Sequence, residues 1–120
     1  MAQHNLFGTK AEIYARDFLL NKGYLLLAQN YRYGRSEVDL LMQKKETLIC
    51  VEVKARSTDF FGSPEKFISS KKIQLLVGAV NNYMEQNNID LEVRFDVIAI
   101  TVKQDKWHLK HIKNAFNCWE

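Results

Sequence analysis

The stretch from Glu37 to Ala55 constrains this chain more than any other. Two β-rich runs, Glu37 to Gln43 and Leu48 to Ala55, flank the polar segment Lys44, Lys45, Glu46, Thr47, which is the pattern of a hairpin. Side chains alternate along a strand, so Glu37, Asp39 and Leu41 share one face of the first run, and Leu48, Cys50, Glu52 and Lys54 one face of the second. Each face turns from apolar to charged along its length. A loop of two or four residues sets Leu41 opposite Cys50, Asp39 opposite Glu52 and Glu37 opposite Lys54. Two carboxylates then meet with Cβ atoms about 5 Å apart, and charges at that separation repel by about 3 kcal/mol at an effective dielectric of ~20. A shared proton or the nearby Lys54 would relieve this in part. A hard divalent cation would relieve it fully, since Mg²⁺ is held by one or two carboxylates plus waters and phosphate. A lone Glu-x-Lys is most often a solvated strand end; the facing Asp39 shifts the reading toward a cation.

The flanking sequence supplies helices and further strands. From Leu6 to Lys22 the residues Ala11, Tyr14, Ala15, Phe18 and Leu19 fall on one helical face, and Gly23 stands where a left-handed C-cap belongs. Glu12 sits at the edge of that stripe, beside Ala15 and Leu19 and within reach of a sheet, whereas Asp17 points away. Tyr24 to Tyr33 reads as a strand. Beyond the loop Arg56 to Gly62, the pair Ser63-Pro64 offers an N-cap and a first-turn proline. Leu75, Leu76, Ala79, Val80 and Tyr83 carry the helical period on to about Gln86, with room for a break at Ser69 and Ser70. Lys71 and Lys72 stand near the N-terminal backbone N–H groups of that helix, which attract phosphate. Lys72 is in line with Leu76, Ala79 and Tyr83, so its stem is expected to cover apolar surface, while Lys71 and Gln74 lean to the polar side. Leu91 to Val102 and Trp107 to Ile112, parted by the turn at Gln104, Asp105 and Lys106, complete the order αβββαββ. The expected architecture is α/β.

A length of 120 residues allows one domain, taken as 1–120. With 47% apolar residues, five Gly and one Pro, the composition is that of a packed globular domain and excludes a disordered or fibrous chain. The net charge of +3 tolerates a polyanionic partner without demanding one. Cys50 and Cys118 lack the close spacing of a zinc or redox pair, so a disulfide scaffold is not expected. The longest apolar stretch, Tyr24 to Ala28, falls far short of the ~20 residues that span a bilayer, and no apolar leader stands at the N-terminus. A soluble, cytoplasmic protein without a membrane partner is expected. His4, His108 and His111 suggest no nucleophilic triad and read as surface or strand residues. On a strand His108 and His111 face opposite sides and make no natural metal pair.

Taken together, Gly8-Thr9-Lys10-Ala11-Glu12, Ser36-Glu37-Val38-Asp39-Leu40-Leu41, Val51-Glu52-Val53-Lys54-Ala55-Arg56, Ser70-Lys71, Arg94-Phe95-Asp96-Val97 and Asn114-Ala115-Phe116 resemble the YraN-type uncharacterised proteins. The fold of those proteins is similar to that of the PD-(D/E)xK nucleases and archaeal Holliday-junction resolvases. The resemblance runs nearly end to end, and its motifs are specific only in combination. It implies a restriction-endonuclease-like core with a mixed central sheet flanked by helices. It further implies Asp39, Glu52 and the Val53 carbonyl as ligands of Mg²⁺, with Mn²⁺ as substitute, Lys54 as the catalytic lysine and Glu12 as the helix acid. Lys71 would be an auxiliary phosphate or water contact, with Arg56 and Gln74 on the substrate side. Ser36 stands where the family usually has glycine, which narrows the approach to the strand.

The reaction so implied is phosphodiester hydrolysis in DNA, with branched or damaged DNA among the expected substrates. The metal polarises the phosphoryl group and helps generate hydroxide, and Lys54 positions water or stabilises developing charge. Fold relatives of this kind often act as two-fold dimers. A second reading is a nucleic-acid-binding or DNA-processing accessory protein that keeps the acidic site with little turnover. A third is an interaction module in which the edge Trp107 to Ile112, with Phe116 and Trp119, docks a partner or a second copy.

Overall fold

The computed structural model of the chain describes residues 6–56 and 68–116. Helix α1 (Leu6–Asn21) leads into strands β1 (Leu25–Tyr33), β2 (Ser36–Lys44) and β3 (Thr47–Arg56); helix α2 (Ser70–Gln86) follows, then β4 (Glu92–Lys103) and β5 (Lys106–Phe116). The expected αβββαββ order holds. The five strands form one sheet in chain order, antiparallel except for the parallel pair β3 and β4. A parallel pair needs a crossover, and α2 lies within it.

The two helices cover opposite faces of the sheet. Ala11, Ala15 and Leu19 of α1 pack with Leu40, Met42, Ile49, Val51, Ile98 and Ile100. Ile73, Leu76, Ala79 and Val80 of α2 pack with Leu41, Leu48, Cys50, Phe95, Val97 and Phe116. Strands covered on both sides read as unbroken apolar runs, which is why Leu48 to Val51 and Val97 to Ile100 show no polar alternation and are buried throughout.

Local chemistry sets the boundaries. Gly23 ends α1 at φ 91°, with Tyr24 N–H on Leu19 C=O and Gly23 N–H on Leu20 C=O, both 3.0 Å, a Schellman close. Two-residue turns at Lys45-Glu46 and Gln104-Asp105 join the antiparallel pairs, with Lys45, Gln104 and Asp105 at positive φ. Helix α2 takes Ser69 as N-cap, whose hydroxyl accepts from Lys72 N–H at 3.1 Å. The expected start at Ser63-Pro64 lies outside the described residues, as do His4, Cys118 and Trp119.

Strand β5 runs past Ile112, where the sequence pattern stops, to Phe116. Its pairing with β4 shifts register between Phe95 and Val97, and Asn114 adopts φ 54° there. Phe116 is buried and stacks on Phe95 at 5.2 Å, so it is core and not part of a docking edge. Trp107 likewise packs against the rings of Phe7 and Tyr14. Among the described residues no helix is long and apolar enough to cross a membrane.

Candidate functional site

The ladder between β2 and β3 holds the register read from the sequence, with Leu41 opposite Cys50, but its last pair is Leu40 with Val51. Beyond it the strands part. β3 stays with β4 as far as Arg56 and Thr101, while β2 stays with β1 to Ser36 and Tyr33. The expected Glu37–Lys54 pair is therefore not formed, and Glu37 instead meets Arg32 at 3.4 Å. Asp39 closes the fork: its Oδ2 accepts the Val53 backbone N–H at 2.8 Å. Val38, which strict alternation would put with Leu40, packs instead in the α2 cluster, a sign that β2 turns as it leaves the ladder.

Asp39 and Glu52 do converge, close enough to share a hydrogen bond when one carries a proton. Burial and the charge of Glu52 hold the Asp39 carboxyl well above the usual carboxylate range, and Glu12 adds to the effect. Glu12 reaches this region from α1, where its Oε1 accepts from Asn30 Nδ2 at 3.0 Å. Asn30 sits on β1 between the pairs Gln29–Leu40 and Tyr31–Val38, and takes φ 53°, a conformation asparagine tolerates.

Glu52 is only 2% exposed. One of its oxygens, Oε2, meets Lys72 Nζ at 3.1 Å; the other, Oε1, is buried and has no hydrogen-bond partner among the described residues. Lys72 is thus the α2 lysine that enters the site. Burial alone would lower its pKa, but the attraction and hydrogen bond of Glu52 leave it raised. The stripe that aligns Lys72 with Leu76 and Ala79 aims its stem at the sheet, so the position read as cover for apolar surface is the one that delivers an ammonium to Glu52. Lys71 and Gln74 are exposed on the same helix and are not brought to the carboxylates.

A cleft of ≈ 250 Å³ opens at the fork, lined by Arg35, Ser36, Glu37, Asp39, Lys72 and Leu75. The Ser36 hydroxyl is buried beside it without a partner. Lys54 lies on the Glu52 face of β3 by alternation, half-buried, with no ion pair or hydrogen bond of its side chain among the described residues. Arg56 is exposed at the end of β3, with its guanidinium on the Ala55 carbonyl at 2.9 Å.

Among the described residues no group of three or more His, Cys, Asp or Glu is arranged to hold a metal. The donor set is narrower: two convergent carboxylates, one of which, Glu52, has a buried oxygen orphaned among the described residues. That set is too poor for zinc, which takes three or four protein ligands. It fits a hard cation that keeps most of its own waters, as Mg²⁺ does.

A second polar cluster escaped the sequence reading. Asp96 is fully buried on β4 and accepts from Arg94 Nε and Nη2, each at 2.9 Å, from His111 Nε2 at 2.7 Å and from Asn114 N–H at 3.0 Å. Burial would raise its pKa, but these hydrogen bonds win and hold it below the usual range. Its signal was present in the Arg94-x-Asp96 spacing, which puts both on one face of β4. The partner Asn114 comes into reach only because β5 continues beyond the apolar pattern.

Residues 11–100 match the profile of a family described as "Uncharacterised protein family UPF0102". The chain is 47% identical over 116 residues to a UPF0102 protein of Christiangramia forsetii, covering 97% of this chain and 98% of the relative. It is 44% identical to one of Flavobacterium psychrophilum with the same coverage, and 35% identical to one of Phocaeicola vulgatus, covering 97% and 96%.

Proposed function

The chain belongs to the uncharacterised protein family UPF0102, whose name states no activity, and from the forked strands we propose that it is a Mg²⁺-dependent endonuclease hydrolysing phosphodiester bonds in DNA. One observation carries the reading: Asp39 and Glu52 converge at the fork, and Glu52 keeps a buried oxygen with no donor among the described residues. Native interiors rarely leave such an atom unmatched without a ligand or a chemical use for it.

Asp39 and Glu52 would hold the cation, with the Val53 carbonyl as a third oxygen. Bound there, the ion would polarise a phosphoryl oxygen and favour hydroxide at neutral pH. The protein's own groups do the rest. Val53 N–H fixes one Asp39 oxygen and so orients the other. Lys54, the unpaired ammonium on the Glu52 face, stabilises negative charge developing on the phosphate. Glu12, oriented by Asn30, adds negative charge near Asp39 and so strengthens the pull on a cation held there. Lys72 neutralises Glu52 when no divalent cation is bound and is freed toward the substrate backbone when one is.

The Lys72–Glu52 pair also favours a second reading, in which the acids are satisfied structurally and the protein is a nucleic-acid-binding accessory without turnover. Cleavage of plasmid, single-stranded and four-way-junction DNA separates the two. Cutting that requires Mg²⁺ or Mn²⁺, stops with chelator and is lost in Asp39→Ala supports the nuclease. Cutting that survives Asp39→Ala contradicts it, and salt-sensitive binding without any cutting supports the accessory.

A further inference from the structure

A larger cavity, ≈ 580 Å³, lies away from the carboxylates, lined by Phe18, Lys22, Tyr24, Lys44, Arg94, His111 and Lys113. It sits on the α1 face at the other end of β2. Asp39 and Lys44 are five residues apart, which is about 17 Å along a strand. Among the described residues no acid lines the cavity. The one behind it, Asp96, already accepts four hydrogen bonds and is 0% exposed, so its charge is spent on Arg94 and His111. Three lysines remain to be balanced.

The donors are left open toward the cavity. Arg94 uses Nε and Nη2 on Asp96 and Tyr24, while its Nη1 has no hydrogen bond among the described residues. His111 gives Nε2–H to the Asp96 carboxylate, which fixes its tautomer and leaves Nδ1 toward the wall. Lys22 rests over the Phe18 ring at 5.3 Å and Lys44 over the Tyr24 ring at 4.7 Å, with the Lys44 ammonium also donating to the Lys22 carbonyl, so two ammonium groups are held at the rim by aromatic faces and a neutral carbonyl, with no carboxylate paired to them among the described residues. Lys113 makes no hydrogen bond or ion pair among the described residues. A fork-shaped guanidinium braced from behind by a carboxylate, ringed by ammonium groups, matches a tetrahedral dianion in shape and charge.

We propose that this cavity is a phosphomonoester-binding site separate from the carboxylate fork, with Arg94 at its floor and Lys22, Lys44 and Lys113 at its rim. Its volume exceeds that of phosphate alone and falls in the range of small-ligand pockets, so the ligand carries an organic group beyond the phosphate. That group belongs either to a free nucleotide or to the phosphorylated end of a nucleic-acid strand.

The test is calorimetric titration of the full chain in EDTA, which removes any divalent cation from the fork. The probes are inorganic phosphate, AMP, and one oligonucleotide with and without a 5′-phosphate. Variants are Lys22→Glu/Lys113→Glu, with Asp39→Asn as control for the fork. The site requires saturable binding of a phosphomonoester that weakens at least tenfold in the double variant, whose ligand-free thermal midpoint matches the parent's, and that keeps its strength in Asp39→Asn. AMP binding as well as the 5′-phosphorylated strand identifies a free nucleotide as source; the strand binding tighter than AMP, and only when phosphorylated, identifies a strand end. Absence of saturable binding by every probe overturns the proposal, as does saturable binding indifferent to the double variant. Neither outcome bears on cleavage at Asp39, so failure here is distinct from failure of the nuclease reading.

Discussion

The backbone N–H of Val53 donates to Asp39 Oδ2 at 2.8 Å across the fork where β2 leaves β3. This bond replaces the ladder bonds that end at Leu40 and Val51. It holds the Asp39 carboxylate against Glu52, which two free acids would avoid. The chain therefore stores electrostatic repulsion at one point of an otherwise apolar sheet, and several consequences can be measured.

Replacing Asp39 by Asn keeps an acceptor for Val53 N–H and removes one charge. The folded pKa of Asp39 is raised, so its stabilising contribution is complete below the ordinary carboxylate value of about 3.9 and is lost as pH rises through the higher folded value. At neutral pH in chelator Asp39→Asn is expected to be more stable than the parent by on the order of 1–3 kcal/mol, the scale of the relieved repulsion. Denaturant melts at pH 7 and pH 4 check this, and the gain should shrink at the lower pH.

Lys72→Met leaves Glu52 buried without its cation. Breaking a buried pair costs about 3–5 kcal/mol, and because the Lys72 side chain is 40% exposed the expected loss is smaller, about 1–3 kcal/mol. Adding Glu52→Gln should recover most of it. Urea melts of the two single variants and the double variant form a cycle, and additive losses would refute the coupling.

Asp96→Asn loses charge-assisted bonds to Arg94 and His111 in a fully buried setting, with an expected loss of about 3 kcal/mol or more. Because the folded pKa of Asp96 is lowered, its contribution is full above the ordinary carboxylate value and disappears as pH falls through the lower folded one. Circular dichroism during acid titration should show the parent losing stability below about pH 4, and Asp96→Asn, already weakened, showing a flatter acid limb.

Much of this was legible in the residues themselves. The order of elements followed from Gly23, from the helical period between Leu75 and Tyr83 and from strands spaced by polar turns. The register that puts Leu41 opposite Cys50 followed from a loop of two or four residues, since both lengths give the same facing pairs. The fork was not legible. Alternation assumes that a ladder continues, and the pairing of Glu37 with Lys54 failed where β2 turned away to stay with β1. Lys72 was misjudged for a related reason: a helical wheel gives a side chain's direction but not what stands opposite it. The bond from Asn114 to Asp96 needs β5 to run on past Ile112 through Lys113 and Asn114, a polar stretch whose own pattern gives no sign of a strand.

The most direct test of the central claim is electron paramagnetic resonance of Mn²⁺ titrated into the full chain, comparing the parent with Asp39→Asn and Glu52→Gln. If the two carboxylates form one cation site, the parent removes about one equivalent of free Mn²⁺ signal, Mg²⁺ restores it by competition, and each variant weakens uptake by tenfold or more. Free-signal intensity that is the same with and without protein, or uptake that persists unchanged in both variants, would contradict it.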